Sequence, residues 1–367
     1  MASDRPDAVC PIFLETEGTG EVELIGSGVL LKIYDELYLL TAAHVTDAQQ
    51  YGHLLVPGRD GLTGVGGHFA HLAVSPGATR SDDCVDIAYF RLDKESRESL
   101  HSGLKVLDRK DTILHETIME DDVYSFVGYP WRKARVTEST AETPQFVYSG
   151  CSLPPHNYAS FGYDPNIHIV IQFRRNKSFD IATERWQTQP LPHGISGGGI
   201  FAWPKDLGQR PREIERSLVG IAHTYIESQH LLVGTRINAY LACIFRNNPR
   251  LAELTAEHVS EASIPVIVGI AWYKREQWDR LLSDFADARS MHKSWEEWRE
   301  ASENGIEQMA RLGRIVYPVL LDAEEISRYC QARGLPNVAK MRVRLVNEKL
   351  SELFFERPTS LASPKKA

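Results

Sequence analysis

The stretch His193-Gly194-Ile195-Ser196-Gly197-Gly198-Gly199-Ile200-Phe201 carries the strongest fold signal in the chain. Four glycines lie within three residues of Ser196. Because glycine has no Cβ, such a cluster permits a sharp turn and a close approach of another group to the backbone. Ser196 is therefore either an ordinary turn residue or a side chain held where a second group comes close to it.

Two upstream segments, one ending at His44 and one around Asp86, help to decide between these roles of Ser196. The first runs from Gly26-Ser-Gly-Val-Leu-Leu31 to Tyr38-Leu-Leu-Thr-Ala-Ala-His44-Val45. The second is Val85-Asp86-Ile-Ala-Tyr-Phe-Arg-Leu92. Taken alone, His44 would be a hydrogen-bonded histidine at the end of a strand. Asp82 and Asp83 compete with Asp86, but only Asp86 directly precedes the apolar strand. The chain thus presents His, Asp and Ser in order, the side chains that together activate a serine hydroxyl.

These three segments together resemble the trypsin-like (chymotrypsin-fold) serine peptidases, of the bacterial or intracellular type, over roughly residues 8–245. The resemblance implies an all-β double β-barrel with His44 as general base, Asp86 orienting it and Ser196 as nucleophile. It also implies an oxyanion hole made by the backbone N–H groups of Gly194 and Ser196. The implied function is a serine endopeptidase acting on protein substrates through an acyl-enzyme intermediate, with no metal and no cofactor.

The segment Leu218–Tyr225 resembles the strand that pairs with the substrate backbone in this family, so that substrate adds as an extended strand. His223, Thr224 and Tyr225 are therefore candidate substrate-binding residues. Some relatives use a histidine on this strand to bind Glu or Gln side chains, and a purely structural histidine is the alternative for His223.

Two positions beside the nucleophile depart from the digestive members of the family. Pro190 stands six residues before Ser196, where an acidic residue would select Lys or Arg. Pro190 stays a candidate substrate-binding residue, but it has no negative charge with which to select Lys or Arg. Ile195 stands where digestive enzymes carry an Asp that pairs with a newly cut N-terminus. We therefore expect no activation by N-terminal cleavage.

The amino-acid composition argues against a nucleic-acid-binding, membrane-spanning, secreted or zinc-binding protein. The 367 residues are 43% hydrophobic and 25% charged, as expected of a globular chain with two domains. A net charge of −8 argues against a general nucleic-acid-binding protein. No apolar run approaches the roughly 18 residues of a membrane helix, and the N-terminus lacks the pattern of a secretory signal. Five scattered cysteines without a CxxC pair indicate thiols in a cytoplasmic protein instead of a zinc site.

Periodicity predicts the domain organisation. Short strands punctuated by Gly, Pro and Asp run from about residue 8 to 240 within a first domain predicted at 1–245, and 246–262 is a linker or a helix. Alternating strand and helix patterns predict a small α/β accessory domain over 263–356, followed by a disordered tail at 357–367. The predicted strands are Val22–Ile25, Gly28–Ile33, Leu37–Thr41, Ile87–Arg91, Val123–Val127, His168–Phe173, Gly199–Ala202, Leu218–Ala222, Leu232–Ile237, Pro265–Trp272 and Arg314–Leu321.

The accessory domain matches no catalytic motif. Its tryptophans, Trp272, Trp278, Trp295 and Trp298, predict core packing, and an aromatic surface for a protein partner is the alternative. We expect this domain to bind an activator or to recruit the substrate. Two other functions stay open: a catalytically silent pseudoprotease serving as a protein-binding scaffold, and an esterase using the same triad.

Overall fold

A computed structural model of the chain forms two compact units, one ending at Tyr240 and the other beginning at Leu241. The unit boundary lies a few residues before the predicted domain end at 245. Residues 252–262 of the predicted linker and the predicted tail lie outside the described residues. The structure describes residues 8–72, 79–80, 83–108, 111–112, 122–131, 135–136, 141–142, 144–176, 178–180, 185–203, 216–248, 250–251, 266–311 and 314–354.

The first sheet of the first unit leads the chain to His44 and Asp86. Its strands are β1 (Val9–Thr16), β2 (Val22–Ile33), β3 (Glu36–Ala42), β4 (Gly52–Gly58), β5 (Gly61–Gly64), β6 (Gly67–His71), β7 (Ile87–Leu92) and β8 (Leu107–Asp108). They pair antiparallel in the order β5-β4-β1-β2-β3-β7-β6, and β8 pairs parallel with β2. Helix α1 (Ala43–Thr46) and a 3-10 helix (Asp47–Gln50) follow β3, and α2 (Lys94–Ser99) follows β7. Alternate side chains of β1, such as Cys10 and Ile12, pack into the core on one face of this sheet.

The second sheet of the first unit carries the segment around Ser196. The remaining strands of this unit are β9 (Val123–Gly128), β10 (Arg135–Val136), β11 (Ala141–Glu142), β12 (Phe146–Cys151), β13 (His168–Gln172), β14 (Ser178–Asp180), β15 (Arg185–Gln187), β16 (Gly199–Ala202), β17 (Ser217–Ile226) and β18 (Leu231–Arg236). The antiparallel sheet has the order β12-β9-β16-β17-β18-β13, while β10–β11 and β14–β15 form separate pairs. Buried aromatic side chains, including Phe126 and Phe173, fill its core. Two 3-10 helices (Pro155–Phe161 and Glu227–Gln229) connect strands, and α3 (Ile237–Asn247) follows β18.

These two antiparallel sheets fit the expected trypsin-like architecture. One strand prediction was wrong: Val22–Ile25 and Gly28–Ile33 are not separate strands but parts of the continuous β2. Gly26, Ser27 and Gly28 stay paired with β1, and an irregularity between Ile12 and Phe13 absorbs the change of register. The glycines therefore serve close packing and do not end the strand, since a Cβ at Gly26 would strike the Val45 side chain.

The second unit is built on two parallel strands, β19 (Val266–Trp272) and β20 (Arg314–Leu320). Its helices are α4 (Trp278–Asp284), α5 (Trp295–Arg311), α6 (Ala323–Gln331) and α7 (Ala339–Phe354), with short 3-10 helices at Arg275–Gln277 and Ala288–Ser290. Trp278 and Trp298 are buried and stack with ring centroids 5.3 Å apart, so both contribute to the core of this unit. Among the helices described in either unit, none is long and apolar enough to span a membrane.

Candidate active site

His44 lies where β3 ends and the chain turns into α1. Ala42 is the last strand residue, and His44 is the second residue of the helix. The Thr46 hydroxyl donates to the Ala43 carbonyl at 2.7 Å, and the Ala43 amide donates to the Asp86 carbonyl at 3.1 Å. These bonds fix the helix beside the Asp86 segment and leave 39% of the His44 side chain exposed.

Asp86 occupies a tight turn immediately before β7. Its φ of +49° lies in the left-handed region, which few residues other than glycine, Asn and Asp adopt. The Asp83 carboxylate stabilises this turn, because its Oδ1 accepts the amides of Val85 and Asp86, each at 3.0 Å. The turn buries the Asp86 side chain to 5% exposure and directs its carboxylate at His44.

Two hydrogen bonds join His44 to Asp86. The imidazole Nδ1 lies 2.5 Å from Asp86 Oδ2, and the His44 amide donates to Oδ1 at 2.9 Å. With Nδ1–H donated to the carboxylate, Nε2 is left to accept a proton. Burial lowers the pKa of His44, but the hydrogen bond and charge of Asp86, helped by Asp47, outweigh burial and raise it above its ordinary value. His44 lowers the pKa of Asp86 in turn, against the opposing effect of burial.

Ser196 stands on a turn that its glycines make possible. Gly194 and Gly197 have φ values of +95° and +84°. The Ile195 amide donates to the Pro192 carbonyl at 3.3 Å, and the Gly198 amide donates to the Ile195 carbonyl at 2.8 Å. The chain therefore winds tightly on both sides of the serine.

Among the described residues, the backbone amides of Gly194 and Ser196 have no hydrogen-bond acceptor, whereas those of Ile195 and Gly197 do. No hydrogen bond between described residues takes either amide as its donor. The Gly197 amide, in contrast, donates to the Ala222 carbonyl at 2.7 Å. The amide of Ser196 and the amide of Gly194, two residues before it, are thus left free to donate to another group at the serine turn.

The hydroxyl of Ser196 donates to the backbone carbonyl of His223 at 3.1 Å. Within the part of the chain that the structure describes, Ser196 Oγ forms no hydrogen bond with His44. The serine hydroxyl is therefore bonded to the backbone of β17 and not to the imidazole.

Ser27 on β2 connects the first sheet to the serine turn. Its amide donates to the Ser196 carbonyl at 2.7 Å, and its hydroxyl donates to the Gly194 carbonyl at 3.2 Å. The same hydroxyl accepts the Tyr129 amide at 2.8 Å, and the Thr41 hydroxyl donates to the Ser27 carbonyl at 2.8 Å. One buried serine therefore holds the turn around Ser196 against the strand that leads to His44.

A cavity of about 440 Å³ opens over these groups. His44, Gly194 and Ser196 line it, together with Glu23–Ile25 of β2 and Ala222–Tyr225 of β17. Three aromatic rings stand side by side along the wall, since the His193 ring centroid is 6.3 Å from Trp131 and 6.0 Å from Tyr225. The predicted binding residues His223, Thr224 and Tyr225 all line the cavity, whereas Pro190 is not among its lining residues.

His223 is a buried imidazole behind this cavity, with 4% of the residue exposed. Its Nδ1 lies 2.8 Å from the Thr224 hydroxyl, and its Nε2 has no hydrogen-bond partner among the described groups. Burial lowers the pKa of His223 to about 4, so the ring is neutral at neutral pH. A register shift between Ala222 and Thr224 places His223 at an irregularity in β17.

The described residues form no metal site, and comparisons of the sequence with known proteins give no function for the cavity. Nowhere in the described ranges do three or more His, Cys, Asp or Glu side chains form a group suited to a metal ion. No family model matches the chain, and no curated protein matches its sequence.

Several solved structures of proteases align with the chain at low identity. The serine protease domain of the Sesbania mosaic virus polyprotein shares 16% identity over 63% of this chain and 89% of its own, with a TM-score of 0.35. Neuropsin, a serine protease expressed in the limbic system of mouse brain, shares 15% over 66% and 94%, with a TM-score of 0.39. The catalytically active tobacco etch virus protease, complexed with product, shares 14% over 63% and 73%, with a TM-score of 0.33. TM-scores this low do not establish a function for the chain, and the function proposed below therefore rests on the geometry of the site.

Most of the predicted site residues meet at this cavity. His44, Ser196 and Gly194 line the cavity, and Asp86 lies behind the lining, hydrogen-bonded to His44; Pro190 is not among the lining residues. The sequence reasoning missed Ser27, Trp131 and a cavity position for His193. Their segments had a signal, because Gly26-Ser-Gly and Gly128-Tyr-Pro-Trp131 both carry the glycines of close packing.

Proposed function

We propose that the chain is a serine endopeptidase that hydrolyses peptide bonds of protein substrates through an acyl-enzyme intermediate. The observation that carries this proposal is the hydrogen bond between His44 Nδ1 and Asp86 Oδ2 on the wall of the cavity that also contains Ser196. The free amides of Gly194 and Ser196 add a place for the oxyanion.

The reaction follows from these positions. Ser196 Oγ attacks the scissile carbonyl carbon as its proton passes to His44 Nε2, and the carbonyl oxygen takes up the negative charge beside the two free amides. Collapse of the intermediate breaks the C–N bond, and His44 returns the proton to the leaving amine. Water then attacks the acyl ester by the same route and releases Ser196. Asp86 keeps the imidazole oriented and stabilises its protonated form throughout.

The edge of β17 suits an extended substrate. In the described structure β16 pairs with β17 only as far as Ile221, while β18 continues to Ile226 on the opposite side. A substrate strand added to the free edge would donate its own amide to the His223 carbonyl, which now accepts the Ser196 hydroxyl. Substrate binding would thus release Ser196 Oγ towards His44. Peptide groups facing one edge recur every second residue, so Tyr225 offers the next pair of bonds.

The aromatic wall of the cavity next to Ser196 bears on which side chain it accepts. His193, Trp131 and Tyr225 stand along this wall. The His223 imidazole lies behind it with Nε2 buried and its ring centroid 6.4 Å from that of His168, so a substrate meets the His223 carbonyl and not the ring. We therefore extend the proposal to substrates whose side chain on the acyl side of the scissile bond packs against aromatic rings, and we propose a structural role for the His223 ring.

The proposal also covers the role of the second unit and the cellular location of the protein. We assign the second unit the role of binding an activator or recruiting the substrate protein, which makes cleavage conditional. We place the chain in the cytoplasm, where its cysteines, all free thiols, stay reduced.

A covalent probe tests the proposal directly. The purified full chain is treated with a fluorescent alkyl fluorophosphonate, and the modified residue is mapped by mass spectrometry. We expect one modified residue, Ser196, and no labelling of Ser196→Ala. Ser160→Ala is the matched control, because Ser160 is an exposed serine whose hydroxyl donates to the Asn157 carbonyl and which does not line the cavity. Cleavage of a mixed peptide library, present in wild type and absent in Ser196→Ala, separates a peptidase from an esterase.

The alternative is a catalytically silent pseudoprotease that serves as a protein-binding scaffold. The bond from Ser196 Oγ to the His223 carbonyl favours it, because a hydroxyl held there is not activated by His44. If wild type stays unlabelled both alone and after addition of lysate from stressed or infected cells, the scaffold function holds. Labelling that requires the lysate identifies a protease that needs an activator.

Acylation should also depend on pH through His44. Only the neutral imidazole accepts the serine proton, so the labelling rate falls as the pH drops through the pKa of His44. Asp86 and Asp47 raise this pKa, so the midpoint of the acid limb should lie above the ordinary histidine value of about 6.5. The measurement is the fluorophosphonate labelling rate between about pH 4 and 9. A midpoint well below 6.5 would mean that His44 is not the base.

A further inference from the structure

Arg80 connects the two segments that carry His44 and Asp86. Its Nε donates to Asp47 Oδ2 at 2.9 Å and its Nη2 to Asp47 Oδ1 at 3.3 Å, which makes a bidentate pair. Asp47 begins the 3-10 helix that continues α1, three residues after His44. The Nε–Nη2 edge of the guanidinium is therefore bonded to the helical segment that carries His44.

The other donors of Arg80 reach the Asp86 side of the pair. Nη1 donates to Asp83 Oδ2 at 2.9 Å and to the Leu72 carbonyl at 3.0 Å, and Nη2 donates to His71 Nδ1 at 3.3 Å. All five N–H groups of the guanidinium thus have an acceptor. Asp83 uses its second oxygen to accept the amides of Val85 and Asp86.

A closed ring of contacts results. It runs from Arg80 through Asp47 and α1 to His44, across the hydrogen bond to Asp86, and back through Asp83. The side chains of Arg80 and Asp83 are 18% and 7% exposed, so solvent screens their ion pair only in part. An unusual left-handed aspartate at Asp86 persists only where its surroundings hold it, and this ring supplies that constraint.

We propose that Arg80 is a positioning residue that holds the His44 helix and the Asp86 turn in register, so that their side chains stay hydrogen-bonded. The inference deepens the proposed function and rests on it for its catalytic meaning. Arg80 touches no reacting atom. It acts through the two segments that it joins.

Arg80→Lys and Arg80→Ala test this role, with Arg91→Ala as the control. Lys keeps the positive charge but cannot supply five donors in a fork. Arg91 is a partly exposed arginine on β7 that pairs with Glu36 and not with the ring. The first readout is the NMR titration of His44 in the full chain, assigned with His44→Ala. It needs no catalytic activity.

Positioning and charge alone predict opposite results. The titratable and charged groups that act on His44 are Asp86, Asp47, Arg80 and the buried His223. If Arg80 holds the register, both Arg80→Lys and Arg80→Ala weaken the bond to Asp86, so the pKa of His44 falls and its downfield Nδ1 proton signal is lost. If Arg80 acts by charge alone, Arg80→Ala raises the pKa and Arg80→Lys leaves it unchanged, which overturns the proposal.

The second readout is the labelling rate of Ser196 with the alkyl fluorophosphonate. A misplacement of about 1 Å can cost about 100-fold in rate, so both Arg80 variants should label up to about 100-fold more slowly, and Arg91→Ala should label as wild type does. Circular dichroism checks that each variant is folded. Should Arg80→Ala unfold, Arg80→Lys and Asp47→Asn, which removes one arm of the ring, still decide the question. A wild type that stays unlabelled both alone and with the lysate would refute the proposed function, while the titration would still decide the role of Arg80.

Discussion

Replacing His44 with alanine is expected to slow the acylation of Ser196 by about 10⁶-fold. A serine hydroxyl is a weak nucleophile at neutral pH and needs a base that takes its proton during attack. His44 is the cavity-lining imidazole that an aspartate orients, through the 2.5 Å bond to Asp86. The measurement is the fluorophosphonate labelling rate, followed with enough enzyme and time to quantify a residual reaction.

His156→Ala is the control for that experiment. His156 is an exposed histidine on the 3-10 helix Pro155–Phe161 of the same unit, and it does not line the cavity. It should label at the wild-type rate. If His44→Ala keeps more than about one hundredth of the wild-type rate, another group is the base, and the assignment of the triad is wrong.

Replacing Gly197 with alanine should destabilise the first unit by at least about 3 kcal/mol and abolish labelling. Its φ of +84° disfavours any side chain, and a new Cβ would collide with the Ser27 carbonyl and the Thr41 hydroxyl. Those groups belong to the strands that lead to His44, so relief of the collision pushes the serine turn away from the first sheet. Hydrogen exchange of the β2 and β16 amides, measured with the labelling rate, reports both effects.

Gly162→Ala separates backbone strain from the collision. Gly162 has a similar φ of +79°, but a Cβ there would meet nothing within 4 Å. It should cost about 1 kcal/mol and leave labelling unchanged. Equal losses in the two variants would show that backbone strain alone is responsible and that the Ser27 contact does not hold the turn.

The sequence could predict which residues come together at the cavity because its motifs are local. His44 follows an apolar strand, Asp86 precedes one, and Ser196 lies among glycines, so each could be recognised within about eight residues. The strand bounds were also predicted from local sequence, and the prediction was wrong where contacts with distant segments determine whether a strand continues. The glycines within β2 resemble breaks but remain paired with β1, because the strand passes close to Val45 and the serine turn.

The remaining features depend on contacts between segments distant in sequence. The bond from Ser196 Oγ to the His223 carbonyl depends on an irregularity in β17 that no periodicity marks. Arg80 stands in a stretch without regular pattern, so its five bonds could not be foreseen. Pro190 was chosen by its offset from the serine, and the turn between them carries it away from the cavity lining.

The bonds of Ser27 have a consequence for how this chain is made. The first sheet carries His44 and Asp86, the second carries Ser196, and Ser27 joins them through the serine turn. On the proposed function, a ribosome-bound chain that has completed only the first sheet therefore lacks the nucleophile and is an inactive peptidase. For the same reason, a gene divided between β8 and β9 should yield two inert fragments whose activity returns on reassociation, which makes the protein a candidate split reporter.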